Sequence, residues 1–138
     1  MAKITNITPA NFLGALLASP RVLGSKVSEI ITAITEKGTV TQITNITTGV
    51  TLNKQSGVIT TVSLTTAAST VAGPFTVTNN KCFADSSVLV TVQYANGKTG
   101  FPVALVEDVA AGSFKIRLVN AHTAAALNDV VKINFSII

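Results

Sequence analysis

In Val88-Leu89-Val90-Thr91-Val92-Gln93-Tyr94, bulky residues alternate with Leu89, Thr91 and Gln93. A period of two gathers Val88, Val90, Val92 and Tyr94 on one side of an extended chain but scatters them around a helix. The stretch is therefore a strand with one face buried and one half wet. The same period recurs on both sides of it. Phe75 and Val77 alternate with Thr76 and Thr78, and Phe114, Ile116 and Leu118 with Lys115, Arg117 and Val119. Val131, Ile133, Phe135 and Ile137 alternate with Lys132, Asn134 and Ser136, which predicts a C-terminal segment tied into a sheet. Val58, Thr60, Val62 and Leu64 share one side of a further strand and Ile59, Thr61 and Ser63 the other. Weaker strands are expected over 40–46, 50–53 and 103–107. Seven to eight short strands between Gly, Asn and Pro clusters predict a mainly β fold, an antiparallel β-sandwich or jelly roll.

Turn chemistry extends this reading. Asn96-Gly97 suits a type I′ turn, whose central residues both take positive φ, and is expected to close a hairpin-like loop between Tyr94 and Phe101. Pro102 cannot donate to a ladder, so its strand starts late or lies at an edge. Before residue 39 the period is helical. Thr8 and Pro9 can start a helix carrying Phe12, Leu13, Leu16 and Leu17. Ser19 and Pro20 restart it with Leu23, Val27, Ile30, Ile31 and Ile34 on one face, and Gly38 stops it after Lys37. The expected organisation is an N-terminal helical arm over 1–39 and a β-sandwich domain over 40–138. Ile-Thr-Asn-Ile-Thr occurs at 4–8 and again at 43–47, flanking the helices as paired arms would or, the favoured reading, repeating by composition in an Ile- and Thr-rich chain.

The 138 residues suffice for one sizeable core. Only 12% are charged while 47% are hydrophobic, which excludes disorder. No apolar run approaches the ~20 residues of a membrane span, and polar Thr5, Asn6 and Thr8 make the N-terminus a poor secretory signal. Lone Cys82 excludes an internal disulfide. The net charge of +4 is carried mainly by residues 1–60, but the cations are widely spaced and aromatics make up 5% of the chain, which argues against a nucleic-acid track.

Chemistry-bearing motifs are equally sparse. Gly97-Lys98-Thr99 lacks the leading glycine of a phosphate loop, because Val92 stands there. Cys82 and His122 have no neighbours at metal-ligand spacing, and His122 is read as a loop residue bonded to local backbone. Adjacent Glu107 and Asp108 are expected on opposite faces of a strand, poor partners for acid-base work. Asp85 and Asp129 stand beside turn residues. With no Trp and one Tyr, an aromatic sugar platform is absent. The expectation is no enzyme, no cofactor and no metal.

From 41 to 138 the order of segments resembles small β-sandwich structural proteins of tailed bacteriophages, which act as capsid decoration (cement) or fibre-end domains. The strings that carry it are Gly49-Val50-Thr51-Leu52-Asn53-Lys54, Gly57-Val58-Ile59-Thr60-Thr61, Phe75-Thr76-Val77-Thr78-Asn79, Val109-Ala110-Ala111-Gly112-Ser113-Phe114 and Ala126-Leu127-Asn128 with Ile133-Asn134-Phe135. The resemblance implies a virion component on the capsid surface, frequently homotrimeric and without catalytic residues. It covers roughly two thirds of the chain and leaves out the helical residues. Low charge and apolar helices independently suggest surface to be covered by assembly. The expected function is a decoration protein that stabilises the shell of major capsid protein, with Arg21, Lys26 and Lys37 as docking candidates. The alternative is a fibre-tip or adhesin-like module binding a receptor or glycan through Asn79, Asn80, Asn120 and His122. No nucleic acid or membrane partner is expected.

Overall fold

The computed structural model describes residues 24–28 and 36–138. Residues 24–28 form a short helix, α1, in the unit Met1–Glu36, and Lys37–Ile138 form a second compact unit. The helix expected over 8–18 lies outside the described residues, as does most of the one expected over 19–37.

The second unit holds eight strands: β1 (Lys37–Thr41), β2 (Val50–Thr51), β3 (Ser56–Thr60), β4 (Val71–Thr78), β5 (Val88–Gln93), β6 (Pro102–Ala110), β7 (Ser113–Asn120) and β8 (Lys132–Ile137). The first sheet runs β1-β3-β8-β5 and the second β2-β4-β7-β6. The fold is a mainly β sandwich of the expected kind, with mixed sheets. β3–β8, β5–β8, β4–β7 and β6–β7 are antiparallel, whereas β1–β3 and β2–β4 are parallel. The parallel pairs arise because the chain crosses between sheets after β1, β2, β3, β4, β5 and β7, so a strand joins an edge without turning back on its predecessor.

Period-two patterning became burial wherever both neighbours of a strand are present. Phe75 and Val77 of β4, Phe114, Ile116 and Leu118 of β7, and Ile133, Phe135 and Ile137 of β8 are all buried between the sheets. Each stabilises the fold by about 1.5–3 kcal/mol on transfer grounds. The rings of Phe114 and Phe135 meet across the two layers at 5.6 Å, tilted by 58°. In β3 the inward parity is Gly57 and Ile59, followed by buried Thr61. On edge strand β5 the valines are half-buried and Leu89 is exposed.

Several local expectations are corrected. Lys37 and Gly38 do not end a helix; they open β1, which closes at Thr41, well short of the strand expected over 40–46. Gly38 serves close packing, since a Cβ there lies 2.6 Å from Leu52 Cδ1, and one on Gly57 lies 2.6 Å from Leu52 Cδ2. Asn96-Gly97 is a turn in which Lys98 N donates to Ala95 O, but only Gly97 has positive φ, so it is not type I′. Nor does it close a hairpin, because β5 and β6 belong to different sheets. Pro102 opens edge strand β6, where its missing donor leaves no ladder bond unmade. Residues 43–47 form a loop whose Asn45 Oδ1 accepts from Thr47 N.

Candidate functional site

The outward faces of the two sheets differ in chemistry. On the first, the rows are Lys37–Ser56–Ser136–Leu89, Thr39–Val58–Asn134–Thr91 and Thr41–Thr60–Lys132–Gln93. Hydroxyls and amides dominate them. On the second sheet Val71 stands opposite Val119, and Val119 opposite Val103, one aliphatic row across β4, β7 and β6. Leu105, the next outward residue of β6, is 47% exposed and Val71 is 51% exposed.

Ion pairs border that row. Arg117 Nε lies 2.6 Å from Glu107 Oε1, and its Nη2 donates to Oε2 at 3.0 Å. Lys115 Nζ donates to Asp108 Oδ2 at 2.8 Å. A β-bulge between Glu107 and Ala110 sets Asp108 at φ 48°, so both carboxylates reach outward cations of β7. This corrects the expectation of opposite faces, which held only for an unbroken strand. The hydrogen bond from Lys115, then its charge, holds the Asp108 carboxyl below its ordinary value, and the same bond raises Lys115. The charged groups on this flank are thus paired with one another beside the aliphatic row.

The loop candidates separate by burial. Asn79 and Asn120 have no exposed surface and cannot meet a partner, a correction to their assignment as contact residues. Asn79 Nδ2 donates to Lys54 O, and its Oδ1 accepts from Lys81 N. Asn120 Nδ2 reaches the carbonyls of Thr66, Ala67 and Ala125, while its Oδ1 accepts from Phe101 N and His122 N. Each side chain substitutes for ladder bonds where a strand stops. Asn80 is exposed, and its backbone N donates to Asn53 Oδ1. His122 is exposed, with Nδ1 accepting from Ala124 N and Ala125 N, the local backbone role read from its loop position.

Among the docking candidates, Arg21 lies outside the described residues. Lys26 is half-buried on α1 and Lys37 is exposed on β1. Cys82 is buried with Sγ near Ser113 O, and burial raises its thiol above the ordinary value. Among the described residues no cluster of His, Cys, Asp and Glu could hold a metal. A groove of about 490 Å³ is lined by aliphatic Ile46, Val62 and Leu64 and hydroxyl-bearing Thr44, Ser63 and Thr70, without a titratable group. Tyr94 O–H bonds with Thr99 O and Asn128, which fastens the crossing between β5 and β6.

The aliphatic row escaped sequence reading because its members come from three strands whose pairing is set only in the fold. Val119, at the outward parity of Lys115 and Arg117, was the visible signal. No known family model, curated protein or solved structure matches the chain.

Proposed function

We propose that the chain is a non-enzymatic virion structural protein, a capsid decoration protein that lies on the capsid surface and stabilises the shell of major capsid protein. The observation that carries this reading is the Val71–Val119–Val103 row with Leu105, an exposed aliphatic patch flanked on one side by two ion pairs, as in a protein interface where apolar residues adjoin a polar rim. None of these four residues belongs to the buried core of the sandwich. Contact by a neutralised, mostly apolar patch suits a protein that gains its effect by repetition over a lattice.

The test is co-sedimentation with assembled capsids and the temperature at which those capsids break. The wild-type chain pellets with the shell and raises that temperature, while Leu105→Asp, which alters an exposed side chain, loses binding by about tenfold or more. Lys37→Glu tests the basic docking candidate in the same assay. A chain that leaves capsids unchanged yet binds host cells in isolation overturns the decoration reading in favour of the fibre tip.

A further inference from the structure

The edge of the first sheet formed by β5 is built to pair, and its hydrogen-bond parity says with what. Ser87 and Ile138 exchange both backbone bonds, so Ser87 is a narrow-pair position of the β5–β8 ladder. In an antiparallel ladder such positions alternate, which makes Leu89, Thr91 and Gln93 the bonded residues opposite Ser136, Asn134 and Lys132. The N–H and C=O groups of Val88, Val90 and Val92 therefore point away from β8. Ile137 confirms the phase from the other side of β8, since its N–H donates to Gln55 O. β5 has no second neighbour in its sheet among the described residues.

The other long edge is guarded. β6 begins at Pro102, is bent by the bulge at Glu107–Ala110, and carries Glu107 and Asp108 there. Each is a recognised means of blocking edge pairing. β5 has none of these: no proline, glycine, bulge or charged residue occurs from Ser86 to Asn96, and among the described residues only β6 of the second sheet runs close beside it. Leu89 stands 57% exposed on its outward side.

We infer that β5 pairs antiparallel with β5 of a second copy about a two-fold axis at Val90, joining two first sheets into one continuous sheet. The strand is its own complement in this register. Val90 faces Val90 of the second copy and Val88 faces Val92, so three narrow pairs each exchange two bonds. On the outward side Leu89 covers Thr91 of the second copy and Ser87 meets Gln93. No like charges oppose each other anywhere along the seam. A foreign peptide must match this neutral, aliphatic alternation from outside, whereas a second copy supplies it by symmetry. The two-fold contact differs from the three-fold assembly implied by the resemblance, and it stands whether or not the capsid reading does.

The test is the mass of the full chain in solution by light scattering and sedimentation equilibrium, with amide exchange followed by residue. The wild-type chain is a dimer at high concentration, and the amides of Val88, Val90 and Val92 gain protection as concentration rises. Leu89→Lys, on an exposed position that spares the fold, weakens dimerisation by about tenfold or more. Val90→Pro removes the central donors and yields a monomer, with tryptic resistance and far-ultraviolet dichroism reporting that it still folds. A wild-type chain monomeric at every concentration overturns the inference. So does a trimer, or a dimer indifferent to Leu89→Lys with freely exchanging Val90 amide.

Discussion

Asn79 and Asn120 end the paired strands β4 and β7 at opposite ends of the second sheet, and both are completely buried. Both accept a hydrogen bond from the backbone N–H two residues on, the Asx turn that releases the chain from its strand. They differ in how much chain each holds. Asn79 adds one bond to the connection after β2, at Lys54 O. Asn120 joins Thr66 and Ala67 from the long β3–β4 connection, Ala125 from its own loop and Phe101 from the β5–β6 crossing. The same residue type in the same turn is a local device at one end and a hub at the other. What separates them is the number of loops that converge where the strand stops.

Asn120→Ala is the largest expected effect, a loss of about 3–5 kcal/mol, because several buried carbonyls and N–H groups lose their partner together. Equilibrium denaturant unfolding measures it. Asn79→Ala costs about 1–2 kcal/mol in the same assay, and parity between the two variants breaks the comparison. Their effects add within ~0.5 kcal/mol in the double variant, since the residues share no hydrogen-bond partner. His122→Ala sharpens the picture of the hub end. It removes the acceptor for Ala124 N and Ala125 N at an exposed site and costs about 1 kcal/mol.

The smallest expected effects are those of pH, and each end has its ion pair. Lys98 bonds Asp129 at 2.9 Å close to the hub end, and Lys115 bonds Asp108 at 2.8 Å beside the bulge. Both carboxyls are held below their ordinary value, chiefly by the lysine hydrogen bond. Their contribution is complete above the ordinary carboxylate value and is lost as pH falls through the depressed one. Lys115 has the opposite sign: its raised value contributes below the ordinary lysine range and is lost as pH climbs through the raised one. Asp108 and Lys98 are exposed and Asp129 and Lys115 only half-buried, so the effects are slight and fade in high salt. Asp129→Asn removes the acid step at the hub end alone, which stability measured against pH on both sides of the carboxylate range detects.

Much of the sandwich was present in the alternation of particular residues. Phe75 and Val77, Phe114 to Leu118, and Ile133 to Ile137 face inward as their parity requires, since a one-residue slip exposes the whole set. Asn96-Gly97 gave a turn at its place, yet not the sheets that the turn connects, because turn chemistry acts over four residues and sheet membership does not. Lys37 and Gly38 carried the signs of a helix end, while the glycine is needed for the approach of Leu52, a contact between segments distant in the chain. Asn79 and Asn120 looked like polar loop residues. Polarity by itself does not distinguish an amide facing water from one that replaces ladder bonds in a buried turn.

By itself the sequence determined most of the strands, the inward faces of the central ones and the poverty of charged groups. These follow from transfer of side chains out of water and from backbone geometry, both local. Only the tertiary structure decided that two strand pairs are parallel, that Val71, Val119 and Val103 form one row, and that β5 ends its sheet. Pairing depends on which distant strands close together and on the loops that must be ordered to let them, and no window of sequence contains both partners.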